Sequence, residues 1–441
     1  MKAFEKVVAA AAGIATYMRV RRTATQFSSR EDFLGWQQRR LSRWLALAPH
    51  RVNAYQDLPR GLPLGSYPKL DKEALMGRFE AYNRPRITAS AGWRAFDGSR
   101  MISSYHVGAS TGTSGNRGLY VISEKERFAW LGAILAKTLP DIWKPGAPRE
   151  RVAVILPLHT RLYDAANDTG RISLRFFNLQ DGPAAWIDEL LSFSPTTLIA
   201  PPKILAWLAD RWTAAPIRRA YAGAEVLDPT DRQLIESSFG ISLGQIYMAT
   251  EGLMGVSCAH GSLHLAEDIM HFEFEPVGEG LVSPIITDFS RRTQVMLRYR
   301  MNDLLRLSSE PCSCGNPCQV VSEIVGRSDD CFRFQRHGHS VMITPDVMRN
   351  AILDADRSIH DFRLTQESDD KVVLTLPMAA SQLSLEAAAN ALARLFDQRQ
   401  LDVRLQARQD DLPLETDRKL RRVRVLHSVS SPQANSTKIS S

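Results

Sequence analysis

The chain has 441 residues, of which 44% are hydrophobic and 23% charged, long enough for two domains and a large core. A net charge of +7 suits an anionic ligand, but no aromatic-and-basic patch makes nucleic acid the better reading. Five cysteines, three of them between Cys312 and Cys318, exclude a secreted disulfide framework and look like metal ligands in a reducing compartment.

Residues 1–60 read as amphipathic helices, with Trp36, Leu41, Trp44 and Leu45 at helical spacing and better suited to core than to a ligand site. The first of them contains an apolar run, Val7 to Met18, as long as a signal-peptide core. Glu5 interrupts its basic end, however, and Arg19, Arg21 and Arg22 stand where small residues would precede cleavage. The run is too short to span a bilayer, and no other stretch approaches that length. The expectation is a helix in a cytoplasmic protein. A connection punctuated by proline and glycine follows from Pro59 to Lys72.

Next comes Ser110-Thr-Gly-Thr-Ser-Gly115, flanked by Ile102, Tyr105 and Val107 on one side and Leu119 to Ile122 on the other. The flanks predict a hairpin gripping the loop. A loop of glycines and hydroxyls can surround a polyphosphate with donors, although the Walker spacing with its lysine is missing. Short apolar runs then alternate with helical patterns. Strands are expected at Val152 to Leu156, Ile172 to Phe177, Thr197 to Ala200, Arg219 to Ala222 and Leu243 to Tyr247. Helices are expected at Phe128 to Leu139, Ala184 to Phe193, Ile204 to Trp212 and Pro229 to Phe239. That order predicts a layered α/β domain around a parallel sheet with covered faces. Beyond Gly326 the texture changes to a small α+β module: strands at Asp361 to Gln366, Lys371 to Leu376 and Leu401 to Leu405, and a helix at Leu383 to Phe396. Residues 428–441 are polar and expected to be disordered.

Two further stretches, Tyr221-Ala-Gly-Ala-Glu225 and Tyr247-Met-Ala-Thr-Glu251, follow strand-like runs, at the carboxyl ends where open α/β sheets bind ligands. With Ser110 to Gly115, Arg298-Tyr-Arg-Met-Asn-Asp303, Gly326-Arg-Ser-Asp-Asp330 and the run from Pro413 to Lys419, they make an ordered set. The set resembles the motifs of acyl-adenylate-forming enzymes, whose phosphate loop is usually Ser-Ser/Thr-Gly-Thr-Thr/Ser-Gly. Within that superfamily the chain looks most like the phenylacetate–CoA ligase and coenzyme F synthetase branch.

The resemblance implies a large ATP- and acyl-binding domain over residues 1–326 and a small mobile domain over 327–427. It implies ATP-dependent activation of a carboxylic acid, then transfer to coenzyme A, a carrier-protein thiol or an amine. A non-catalytic relic of the fold is the competing expectation. By resemblance, Ser110, Thr111, Gly112, Thr113, Ser114 and Gly115 hold phosphates, and Gly223, Ala224 and Glu225 line the adenine pocket. Tyr247 stacks on the base, Thr250 bonds the α-phosphate, Glu251 holds Mg²⁺, and Asp303 with Arg327 binds the ribose. Asp329 falls at the hinge, and Lys419 bridges substrate carboxylate and phosphate. Three departures stand out. Arg418 replaces the glycine before that lysine, Arg421 and Arg422 allow a merely basic face, and no lysine follows Gly115, where only Arg117 could substitute. Glu251 also reads as a solvated loop acid, and Asp303 as an ion-pair partner of Arg298 or Arg300. His159, Tyr163, Phe176 and Phe177 are candidate acyl-pocket lining, though equally plain core.

Cys258 with His264, and Cys312 with Cys314, form two pairs distant in sequence that can build a closed Cys₃His zinc site. Relatives in the same branch share such an arrangement. Cys318 is a spare ligand, and unliganded buried thiols are the alternative.

Overall fold

The computed structural model describes residues 2–110, 117–157, 170–416 and 419–426. They form two compact units. The larger comprises residues up to Ile324 together with Glu415–Leu420, and the smaller Val325–Leu414 with the described residues from Arg421 onward.

In the large unit, a sheet of twelve strands among the described residues is built in two styles. Ile172–Asn178, Glu150–Leu156, Thr197–Ala200, Arg219–Gly223 and Leu243–Ala249 lie side by side, all parallel. The strand Thr197–Ala200 is buried at all four positions, as expected where both faces are covered. The helices between follow their local signals. Pro183–Phe193 and Pro229–Phe239 each start with proline in the first turn and end on a left-handed residue, Ser194 and Gly240 respectively. The helix expected at Ile204 to Trp212 runs instead over Pro202–Ala209, because Pro202 suits a first-turn position and ends nothing there.

After Ala249, beyond the last of the expected parallel strands, the strands turn antiparallel. Gly252–Ser257, Leu263–Leu265 and Val320–Arg327 continue the sheet, followed by Asp303–Leu307, Leu281–Asp288 and Met270–Gly278. The β–α alternation that predicts parallel pairing stops with Leu243–Ala249, and hairpins need no crossover helix. Arg298 and Arg300 pair with Glu273 and Glu275 at 2.9 and 2.8 Å.

The loop-bearing hairpin forms as expected: Tyr105–Ala109 pairs antiparallel with Leu119–Ser123. It passes straight into the helix Glu124–Thr138 through a capping box made by Ser123 and Glu126. Glu126 also accepts the backbone N–H groups of Arg292 and Thr293 at 2.6 and 2.8 Å, tying the hairpin exit to the antiparallel half.

The N-terminal helix Lys2–Thr23 lies along Glu124–Thr138, and glycines permit the approach. A Cβ on Gly132 would sit 2.2 Å from the Gly13 carbonyl oxygen. Tyr17 donates to the Leu139 and Pro140 carbonyls. On the second helix, Arg30–Leu45, Leu41, Trp44 and Leu45 are buried core residues, and Arg30 clamps Glu267 through two hydrogen bonds of 2.8 and 2.9 Å.

The small unit carries a sheet ordered Arg404–Asp410, Lys371–Pro377, Arg363–Ser368 and Val423–Val425, with helices Pro345–Ala355 and Gln382–Gln398 and a hairpin, Phe332–Arg336 with His339–Ile343. Phe332, Ile352, Leu364, Leu374 and Leu392 centre its own core.

Candidate active site and cysteine–histidine cluster

Three adjacent parallel strands end side by side. Their carboxyl ends deliver Lys203 after Thr197–Ala200, Glu225 after Arg219–Gly223, and Thr250 with Glu251 after Leu243–Ala249. This is the edge at which open α/β sheets bind ligands.

Tyr247 and Asp303 meet there. The tyrosine hydroxyl donates to Asp303 Oδ2 at 2.7 Å. Arg298 and Arg300, the cationic alternatives for that aspartate, pair with glutamates instead. Tyr299 donates its hydroxyl to Glu251 Oε1 at 3.0 Å. Burial pushes the Tyr299 phenol well above its ordinary range, and the negative charge of Glu251 adds to that shift, so the phenol stays a donor. Each of these acids thus has a neutral donor on one oxygen.

Glu225 is treated differently. Its side chain is 4% exposed, and Oε1 lies 3.0 Å from the ammonium of Lys203, itself 5% exposed. The same oxygen accepts the backbone N–H of Leu420 at 2.8 Å. Burial pushes the Glu225 carboxyl up, opposed by Lys203, the Leu420 N–H and Lys419. Ala224, just before it, has φ of 68°, a left-handed conformation uncommon without glycine and of the kind found at functional turns. Sequence reasoning gave Glu225 a place through its backbone alone and missed Lys203. A lysine inside the otherwise apolar helix Pro202–Ala209 was the available signal.

The segment Glu415–Leu420 belongs to the large unit, and Lys419 lies beside the Glu225 turn through the Leu420 bond. In the small unit, Arg327 Nε is 3.2 Å from Asp329 Oδ1, and Arg421 pairs with Asp330. Ser110 closes the base of the hairpin loop, donating its backbone N–H to the Gly118 carbonyl at 2.8 Å and accepting the Gly118 N–H on its hydroxyl at 2.8 Å. Thr111, Gly112, Thr113, Ser114 and Gly115 lie outside the described residues, as do His159, Tyr163 and Arg418. Of the remaining pocket candidates, Phe177 is buried and Phe176 is partly buried against the main core of the large unit.

A second site stands in the antiparallel half. One ligand atom from each of Cys258, His264, Cys312 and Cys314 lies within 4.8 Å of all the others. The Cys258 and Cys312 sulfurs are 3.8 Å apart, and Cys314 Sγ is 3.3 Å from His264 Nε2. Tetrahedral zinc with arms of about 2.3 Å to sulfur requires edges of about 3.8 Å. His264 Nδ1 is 3.0 Å from the Cys318 carbonyl, which orients the ring with Nε2 toward the sulfurs, as outer partners of metal-bound histidines do. Cys318 therefore takes part through its backbone; its thiol is buried and pushed well up by burial. Backbone N–H groups of His260, Cys314 and Asn316 donate to the sulfurs of Cys258, Cys312 and Cys314 at 3.3, 3.5 and 3.4 Å. Without a cation the thiols divide. Despite burial, hydrogen bonds from Ser262 and the Cys314 N–H hold Cys312 down at about 6. Burial and the neighbouring sulfurs push Cys314 up to about 12.

No family model matches the chain. Protein CapK of Staphylococcus aureus is 23% identical over 158 residues, which are 35% of this chain and 34% of CapK; the similarity thus spans about a third of that relative. Among solved structures, 2-hydroxyisobutyryl-CoA ligase in the postadenylation state with R3-HIB-AMP has a TM-score of 0.65 at 16% identity, with 92% of each chain covered. The same ligase with 2-HIB-AMP gives 0.59 at 17%, covering 94% of this chain and 89% of that one. A structure from the fatty acyl-adenylate ligases of E. coli and L. pneumophila gives 0.50 at 16%, covering 71% and 67%. The fold is that of the acyl-adenylate-forming enzymes.

Proposed function

We propose that the protein activates a carboxylic acid with ATP and passes the acyl group to a thiol, that of coenzyme A or of a carrier protein. One observation carries the reading: the Lys419 segment meets the Glu225 turn at the sheet edge that also carries Thr250, Glu251 and the bonded Tyr247–Asp303 pair. A relic that only bound nucleotide would not need the lysine there.

In the first half-reaction a carboxylate oxygen attacks the α-phosphorus. The bond to the β-phosphate breaks, and pyrophosphate leaves. Both reactants are anionic, so fixed positive charge and donors must offset their repulsion in the transition state. Lys419 supplies the charge between carboxylate and α-phosphate, and Thr250 donates to the phosphate. Asp303 accepts the ribose hydroxyls, with Arg327 in support, Tyr247 stacks on the base, and the backbone of Gly223, Ala224 and Glu225 lines the adenine pocket. Ser110 and the loop it closes hold the outgoing phosphates. Glu251 fits a Mg²⁺ site, because its hydrogen bond from Tyr299 engages Oε1 alone; the ion would screen the triphosphate charge. In the second half-reaction the thiol attacks the acyl carbonyl and AMP leaves. Asp329 then serves as the hinge about which the small unit rotates.

The Cys258–His264–Cys312–Cys314 group fits structural zinc, since four ligands close the tetrahedron and leave no open position for catalysis. It also supports the finer placement near phenylacetate–CoA ligases and coenzyme F synthetases. The five free cysteines suit a cytoplasmic setting, and no helix among the described residues is long and apolar enough to cross a membrane.

Pyrophosphate exchange across a panel of aryl, hydroxy and fatty acids tests the reading, with mass spectrometry of the product formed with coenzyme A, a carrier protein or an amine. Exchange with at least one acid is expected. Nucleotide binding without exchange for any acid would leave a non-catalytic relic, and an amide product would replace the thiol acceptor.

A further inference from the structure

We infer that Glu225 is a positioning residue: with Lys203 it forms a buried, charge-balanced latch that holds the main chain next to Lys419. The kinetic consequence rests on the ligase reading; the latch itself rests on geometry alone.

Lys203 occupies the first turn of the helix Pro202–Ala209, where the helix dipole disfavours a cation, and its side chain is 5% exposed. A lysine so placed needs a counter-charge, and Glu225 Oε1 at 3.0 Å is one. The same oxygen takes the Leu420 N–H at 2.8 Å. Glu225 Oε2 is buried and has no hydrogen-bond partner among the described residues, so the carboxylate is committed to one side. A buried ion pair is commonly no more stabilising than apolar residues of the same volume. Stability alone therefore gives little reason for this pair. The peptide bond it grips joins Lys419 to Leu420, which fixes the backbone from which the Lys419 amine reaches. The acid needs the left-handed turn at Ala224 to arrive there. Two parallel strand ends, from Thr197–Ala200 and Arg219–Gly223, thus set the position of a loop almost two hundred residues further on.

The latch makes adenylation more sensitive than acyl transfer to loss of Glu225, because Lys419 charge is required only while the carboxylate meets the α-phosphate. Two variants of the full chain separate this from a packing role. Lys203→Met with Glu225→Leu removes both charges and the acceptor while keeping volume; Glu225→Gln keeps an acceptor oxygen. Amide hydrogen exchange at Leu420 and the rates of the two half-reactions are then measured, the second half with supplied acyl-adenylate.

In the parent protein the Leu420 amide is expected to be protected, and in the double variant to exchange at least tenfold faster. The rate of adenylation relative to acyl transfer is expected to fall about tenfold, as for loss of one hydrogen bond to a charged group. Glu225→Gln should retain most of the protection and show a smaller shift in that ratio. An unprotected Leu420 amide in the parent, or protection that survives the double variant, overturns the latch. So does an equal loss of both half-reactions. Should Leu420 protection depend on Glu225 while no acid supports pyrophosphate exchange, the latch stands and the ligase reading falls. The reverse result leaves the ligase reading and removes the latch.

Discussion

The two halves of the large sheet handle buried charge in opposite ways. In the antiparallel half, Cys258, His264, Cys312 and Cys314 bring four ligand atoms within 4.8 Å of one another, a group that could hold a cation. Backbone N–H groups donate to its three sulfurs. At the ends of the parallel strands, tyrosine hydroxyls donate to Glu251 and Asp303, and a lysine and a peptide N–H meet Glu225. The first geometry suits one resident ion, and the second, by the ligase reading, is reserved for groups that come and go. Rigid hairpins suit the former, and loops that follow strand ends suit the latter.

The largest effect that would sharpen this contrast comes from Lys419. Lys419→Ala should slow acyl-adenylate formation about a hundredfold or more, as for other lost electrostatic stabilisers, while sparing acyl transfer from supplied acyl-adenylate. Rapid-quench measurement of each half-reaction checks it. An equal loss in both would erase the distinction between a reserved and a filled site. Asp329→Pro should reverse the pattern by restricting the backbone where rotation is proposed.

Asp303→Ala comes next. Loss of a hydrogen bond to a charged group of about 1.5–3 kcal/mol should raise the KM for ATP tenfold or more and leave the melting midpoint nearly unmoved. Cys312→Ser should do the opposite. Bound zinc, measured by elemental analysis, should fall from about one ion per chain, and the midpoint should drop by about 5 °C or more with modest loss of exchange activity. A variant that lost chemistry but neither zinc nor stability would place the cluster with the reserved sites. The smallest expected effect is that of Tyr299→Phe. Removing one donor while the Glu251 carboxylate stays in place should shift the Mg²⁺ concentration for half-maximal exchange by about tenfold or less.

Local signals located much of the parallel half. Thr197–Ala200 and Pro229–Phe239 form over the expected residues, because an apolar run bounded by turn residues and a helix opened by proline and closed by glycine are short-range features. The hairpin around the glycine-rich loop was legible for the same reason. The antiparallel half was not. Its strand Met270–Gly278 carries Glu273 and Glu275, which are satisfied by Arg298 and Arg300 some 25 residues later, and no local pattern announces that pairing. In the small unit the strand expected at Leu401 to Leu405 runs instead over Arg404–Asp410, and its polar residues lie beside Lys371–Pro377. Lys203 escaped because its meaning lies in Glu225, twenty-two residues away on the next strand of the sheet, and a spacing of that length has no signature.

The Gly13–Gly132 contact has a consequence for how the chain is made. The helix Lys2–Thr23 is made well before the surface it packs on, Glu124–Thr138, which is synthesised more than a hundred residues later. At ordinary elongation rates that is a wait on the order of ten seconds. During it a helix rich in alanine and valine has no native partner, although isolated helices of this kind form within microseconds. During that interval this helix is therefore open to chaperones and to wrong partners. Slowing translation between residues 23 and 124 should lower the soluble yield more than the same delay placed after residue 138.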